Sequence, residues 1–320
     1  MSSEQEWQHV DEAINWIHSL QTLGIKPGLK RMEWMLERLD HPHRRLKYVH
    51  VGGTNGKGST ISFLRHVLEE AGYDVGTFTS PYLERFQNRI QVNGVDIPDD
   101  DLLKLTKQIK PLADELARSE LGAPTEFEVV TMIAILYFAK VAYPDLVLWE
   151  VGLGGRLDST NVVAPILSII TNVGHDHQHI LGGTLAEIAR EKAGIIKPGV
   201  HTVTAVQDEE ALEVIKAVAK EKPANLYTLG KEYHFQMEKS TPSEQVFTFS
   251  SIFKTYEQIK IHMPGRHQLE NASVAIMALE LLKQFYAIIW EEEELYAGMA
   301  KARWKGRLET IKEEPFTIID

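Results

Sequence analysis

The sequence predicts an α/β fold: a three-layer, mainly parallel sheet with a small antiparallel sheet late in the chain. Three observations predict it. The apolar strand pattern Tyr48-Val49-His50-Val51-Gly52 runs into a glycine-rich turn with one lysine, then into a helix carrying Ile61, Leu64, Val67 and Leu68 on one face. Strand and helix patterns alternate from Leu146 to Leu229, the signature of parallel βα units. Between about Glu232 and Met263 the pattern changes to short strands with no helix between them.

In chain order, Trp7, Val10, Ala13, Ile14 and Ile17 stand at helical spacing, and Leu29 to Leu39 repeats the pattern after the turn at Gly24–Gly28. The first strand and its loop helix follow. Asp74–Thr79 is a short second strand, and Asn88–Gly94 reads as a strand entering a turn. Pro98–Leu121 is a helix whose acidic start suits the macrodipole; Thr125–Ala142 is a second, strongly apolar one. Strands over Leu146–Val151, Ile166–Thr171, His201–Val206 and Leu226–Leu229 alternate with helices over Leu185–Ile196 and Glu209–Lys220. Phe235–Lys239, Val246–Ile252 and Gln258–Met263 form the antiparallel section. Helices over Gly265–Phe285 and Glu291–Ala302 follow, and Arg307–Ile311 and Phe316–Ile319 close the chain as short strands.

Composition narrows the function. Of 320 residues, 43% are hydrophobic and 25% charged, as in a soluble globular protein. There is no cysteine, which excludes disulfides and thiolate metal sites and fits a reducing, cytoplasmic setting. Met1 to Asp11 is polar and acidic, without the basic and apolar regions of a secretion signal. No apolar run approaches the about 20 residues of a membrane span. A net charge of -11 argues against broad nucleic-acid binding, so an anionic nucleotide must be held by local donors and metal.

The turn Gly53-Thr54-Asn55-Gly56-Lys57-Gly58-Ser59-Thr60 supplies such donors. Glycines let backbone N–H groups point inward, the helix start adds partial positive charge, and Lys57 reaches outer phosphates. It is not a regular Walker A: Val51 stands where the first glycine belongs, and Gly58 intrudes before Ser59. An ordinary glycine turn is the plainer reading, but it does not account for a lysine and hydroxyls opening a helix. The form G-T-N-G-K-G-S-T resembles the ATP loop of the Mur ligase superfamily, and its extra glycine is most similar to that of folylpolyglutamate synthases. Further blocks carry the same resemblance. Glu150 to Asn161 reads E-V-G-L-G-G-R-L-D-S-T-N, similar to the signature of folylpolyglutamate and dihydrofolate synthases; Lys26-Pro27-Gly28-Leu29 also has its counterpart there.

The resemblance implies an ATP-dependent ligase that joins L-glutamate to the carboxylate of a folate or dihydropteroate through an acyl phosphate. It implies that Thr54, Asn55, Gly56, Lys57, Gly58, Ser59 and Thr60 hold the nucleotide. Asn271, in a G-x-H-Q-x-x-N-A block at 265–272, and Arg307, in W-x-G-R-x-E at 304–309, complete that contact, with Asp320 beyond them. Ser80 of Ser80-Pro81-Tyr82-Leu83, Glu150 and His177 are implied as magnesium ligands, with a second metal site beside Lys192 of Glu191-Lys192-Ala193-Gly194-Ile195, where the family's lysine is often carbamylated. Lys57, Lys192 and His177 are thereby the catalytic candidates. A zinc reading of His175, His177 and His179 lacks the converging cage that zinc requires. Thr125, Phe127 and Glu128 match a segment beside the pterin pocket, where Phe127 packs a flat ring and Glu128 accepts its hydrogen bonds; Arg156 and Asp158 complete the substrate set. Thr125 and Glu128 also stand at capping-box spacing.

The implied organisation is an ATP-binding domain over 1–303, with 232–263 as its antiparallel section, and a hinge and first strand over 304–320. The chain ends at Asp320, the first letter of the family's D-G-A-H-N motif, which implies that the glutamate-clamping carboxy-terminal α/β domain is missing. The expectation is weak binding of Mg-ATP, poor or no ligation, and a monomer. Three other readings compete: a Mur-type ligase of cell-wall nucleotide peptides, a nucleotide- or folate-binding module without turnover, and a P-loop kinase.

Overall fold

The computed structural model describes residues 7–175 and 177–304, together with the backbone of 309–312 and 317–319. Its strands are β1 (Tyr48–Gly52), β2 (Val75–Phe78), β3 (Ile90–Val92), β4 (Val95–Asp96), β5 (Leu146–Glu150), β6 (Leu167–Ile170), β7 (His201–Thr204), β8 (Leu226–Thr228), β9 (Tyr233–Ser240), β10 (Gln245–Ser251), β11 (Thr255–Ile261), β12 (Glu309–Lys312) and β13 (Thr317–Ile319). The helices are α1 (Val10–Ser19), α2 (Lys30–Arg38), α3 (Lys57–Glu70), α4 (Asp99–Ala117), α5 (Glu126–Tyr137), α6 (Gln178–Leu181), α7 (Leu185–Ala193), α8 (Glu209–Glu221), α9 (Arg266–Tyr286) and α10 (Glu292–Lys301).

The main sheet runs β4-β3-β2-β5-β1-β6-β7-β8. Every pairing from β2 through β8 is parallel, while β3 and β4 return antiparallel along one edge. A parallel sheet is covered on both faces, so its strands must be apolar on both. β1 and β5 are buried at every position. Alternation sends Val49, Val51, Leu146 and Leu148 to one core, shared with α3, α9 and the small sheet. Tyr48, Val147 and Trp149 face the other, with α2, α4 and α5. These are the three layers that the βα alternation predicts. β9, β10 and β11 form the separate antiparallel sheet, whose Tyr233, Phe247 and Phe249 join the first core. β12 and β13 pair antiparallel.

Two elements escaped the sequence pattern. α6 is a four-residue helix within a stretch that reads as a loop. β3 is extended by the two-residue β4 across the Asn93-Gly94 turn, where both residues have positive φ.

The sheet order has one consequence for function. β1 lies between β5 and β6, so the loops leaving the carboxyl ends of these three neighbours converge.

Candidate active site

β1 delivers the chain into the loop 53–56, where Gly53 (φ +141°) and Gly56 (φ +82°) take backbone conformations that L side chains rarely adopt. Space is as restrictive as conformation. A Cβ at Gly53 would lie 1.9 Å from Thr171 Oγ1, and one at Gly56 2.2 Å from Asn271 Oδ1. The loop after β6 buttresses it. The Thr54 amide donates to Asn172 O (3.0 Å), the Asn55 amide to Asn172 Oδ1 (2.8 Å), and Thr171 Oγ1 to Asn55 O (2.6 Å). Thr54 Oγ1 accepts from the Gly174 amide at 3.0 Å. Thr171, Asn172 and Gly174 therefore hold the loop's shape, a role that the pattern around His177 did not disclose.

Lys57 opens α3 with Gly56 as N-cap. Its ammonium donates to the Gly53 and Thr54 carbonyls at 3.1 and 3.2 Å and lies 4.0 Å from Glu150 Oε1. Glu150 ends β5, is buried, and accepts from the Ser80 amide through Oε2 at 3.0 Å. Ser80, Glu150 and Lys57 are thus brought together in a line. Ser59 and Thr60 are buried in the first turn of α3. Gln268 of α9 donates to Ser59 Oγ (3.2 Å) and accepts from Asn271 (3.0 Å), so α9 reaches the first turn of α3 beside the loop 53–56. Gly58 faces the Trp304 indole. Arg307 and Asp320 lie outside the described residues.

His177 is exposed at the N-cap of α6, with its ring edge-on to His179 at 6.1 Å between centroids. Among the described residues no group of three His, Asp or Glu side chains converges as a metal cage. Lys192 is buried in α7, 2% exposed.

Next to Ser80 opens a cleft of about 530 Å³, walled by Lys26, Ser80, Arg89, Thr125, Phe127 and Asp158, with Arg156 and Glu191 at one side. Phe127 packs against Phe78 at 5.8 Å between centroids and lies over Gly152, where a Cβ would stand 2.5 Å from its ring. Asp158 is buried and accepts from the Leu153 amide (2.7 Å) and the Thr160 amide (3.0 Å). Burial raises its carboxyl, against hydrogen bonds from Thr160 and nearby amides that lower it. Arg156 pairs with Glu191 at 2.7 Å.

Glu128 takes up the capping-box arrangement that its spacing allowed. Its carboxylate is 1% exposed and accepts from Arg31 Nε at 2.9 Å and from the Thr125 amide at 2.7 Å. It serves the capping box of α5 and an ion pair, and it does not line the cleft. Glu126, 3.3 Å from Arg89, does line it, beside Asp158 and Glu191. Arg89 is a residue that pattern reading passed over. It is buried, with Nε and Nη1 unpartnered among the described residues. Its only signal was a lone arginine at the mouth of an apolar strand.

The comparisons with known proteins agree with this geometry. Residues 51–279 match the model of the Mur ligase middle domain. The chain is 47% identical over 309 residues to a dihydrofolate synthase/folylpolyglutamate synthase of Bacillus subtilis, covering 97% of this chain and 72% of that protein. Among solved structures, the folylpolyglutamate synthase of Thermotoga maritima superposes with a TM-score of 0.88 at 36% identity, covering 97% of this chain and 70% of that one. An FPGS–AMPPCP–folate complex superposes at 0.89 and 31% identity, covering 98% and 76%. With its fold and sequence shared across these proteins, the chain belongs to the folylpolyglutamate synthase/dihydrofolate synthase family of Mur-type, ATP-dependent ligases.

Proposed function

We propose that this chain binds ATP at the loop 53–60 and a folate or dihydropteroate in the neighbouring cleft, and serves to add L-glutamate to that substrate's carboxylate. The observation that carries this reading is the line of contacts Lys57–Glu150–Ser80, which joins the phosphate loop to the wall of the cleft. In the proposed reaction the carboxylate takes the γ-phosphoryl group of ATP, giving an acyl phosphate and ADP. The amine of glutamate then attacks the acyl carbon, and phosphate leaves.

Two anions must meet for the first step, so their repulsion has to be offset. Lys57, the amides of 54–60 and the start of α3 bear on the triphosphate, while Asn271 and Arg307 meet the rest of the nucleotide. Thr125, Phe127, Arg156 and Asp158 hold the folate, with Phe127 offering a flat apolar face. A buried carboxylate, a hydroxyl and an imidazole suit magnesium, and Ser80, Glu150 and His177 would hold it. Bound there, it would draw phosphate charge away from the approaching carboxylate. A second metal beside a carbamate on Lys192, which the resemblance implies, belongs to the same proposal; intact mass measured with and without bicarbonate tests it. The domain division at 303, with a hinge beyond it, is part of the same proposal.

Mass spectrometry of products from Mg-ATP, glutamate and either tetrahydrofolate or dihydropteroate tests the reading. Little or no product is expected from the chain alone and a glutamylated product once it is supplied with the remaining part of its Bacillus relative, and the accepted substrate names the activity. Silence from the chain alone and from the chain supplied with the remaining part of its Bacillus relative would overturn it.

A further inference from the structure

We propose that a pocket at the opposite end of the sheet is a second binding site, taking a small organic anion that has an apolar body. The nucleotide loop leaves the carboxyl end of β1. Arg44 and Leu46 precede β1, Val163 and Pro165 precede the parallel strand β6, and Lys197 precedes the parallel strand β7. These residues therefore gather at the amino ends. They enclose about 730 Å³, a volume typical of small-ligand sites, and share no wall with the folate cleft.

The chemistry of the wall selects the ligand. Lys197 donates to the Asn161 carbonyl at 3.2 Å, and the neighbouring Lys222 donates to the Ile196 carbonyl at 2.7 Å. Among the described residues neither has a carboxylate within ion-pairing distance, and Arg44 stands exposed at the rim. Burial, then the charge of Lys222, lowers Lys197 from its ordinary value. The wall's carboxylate, Glu33, is exposed. His43 and Asn161 line the same wall, on side chains 8% and 6% exposed. An oxyanion would accept from Lys197 and Arg44. Leu29, Leu36 and Leu46 would cover its apolar body.

The site also has a route to the known one. The turn Ser159–Val162 separates the two spaces, with Ser159 in the cleft wall and Asn161 in the pocket wall. Thr160 between them bonds the ring of His50 at 3.0 Å.

Thermal unfolding of the chain with 4-hydroxybenzoate, 4-hydroxyphenyl phosphate and neutral 4-hydroxybenzamide tests the proposal, with and without saturating ATP. At least one anion is expected to raise Tm, the amide to leave it unchanged, and the anion and ATP shifts to add. Which anion acts distinguishes a carboxylate from a phosphate ligand. Arg44→Glu, an exposed change that the fold tolerates, and Lys197→Met should each weaken the anion by about tenfold to a hundredfold. No anion-dependent shift, a shift that both variants retain, or one that ATP abolishes would overturn it, the last by locating the anion at the nucleotide loop.

Discussion

Trp304 lies directly over Gly58, so close that a Cβ built there would fall 2.3 Å from the indole. The second residue of α3 is thereby fixed as glycine by a side chain almost 250 positions away in sequence. Gly58→Ala must push the indole aside, an overpacking cost of about 1–3 kcal/mol. Urea unfolding should show that loss, and tryptophan emission should shift because Trp304 moves.

Lys57 carries both structure and charge. Lys57→Met should lower ATP-dependent turnover by roughly 10²–10³-fold, the usual effect of removing one donor to developing charge. Tm should change little, because the loop it braces is also held from the β6 side through the Thr54 and Asn55 amides and the Asn55 carbonyl. Steady-state kinetics beside thermal unfolding separates the two. A large drop in Tm with unchanged turnover per folded molecule would contradict the assignment.

These two positions show what was legible in the sequence. The glycine loop, its lysine and the alternation of strands and helices are local patterns, and β1, α3 and the parallel sheet appeared where those patterns put them. Trp304 over Gly58, and Thr171 and Asn172 against the loop, are contacts between distant segments, which no local spacing encodes. Glu128 illustrates a different limit. The spacing T-x-x-E fitted both a cap and a ligand contact, and only the position of Arg31 shows where the carboxylate goes. Arg89 was missed because an isolated arginine beside a strand is ordinarily a surface charge.

The Arg31–Glu128 pair should behave as a buried unit. Arg31 also donates to the Lys26 carbonyl at 2.7 Å, tying a wall of the cleft to α5. Arg31→Met leaves a buried carboxylate unpaired, which typically costs about 3–5 kcal/mol. Adding Glu128→Gln should restore a large part of that stability, while KM for the folate stays raised because Lys26 remains untied. Unfolding and KM for the double-mutant cycle check both halves.

Acid should destabilise the fold through His50. This ring is fully buried in β1, and burial, aided by Lys197, lowers it from 6.5 to about 3. Between those values the unfolded chain binds the proton and the folded one does not, so stability falls as pH drops through that window. Each such histidine contributes at most about 1.4 kcal/mol per pH unit. His43, lowered to about 4 chiefly by burial, acts in the same sense. Urea unfolding from pH 7 to 4 should show the slope, and His43→Asn should reduce it.

The central position of β1 bears on how the protein is made. Tyr48 pairs with Val147, and Val49 with Leu167, so β1 has neither neighbour until roughly a hundred more residues have left the ribosome, about 5–20 s at ordinary elongation rates. Through that interval the nascent chain carries an unpaired apolar strand. The phosphate loop acquires its buttress only once Thr171 and Asn172 have emerged. ATP can then stabilise only the last stage of folding, and translation stalled between β1 and β6 is where chaperone dependence should be greatest.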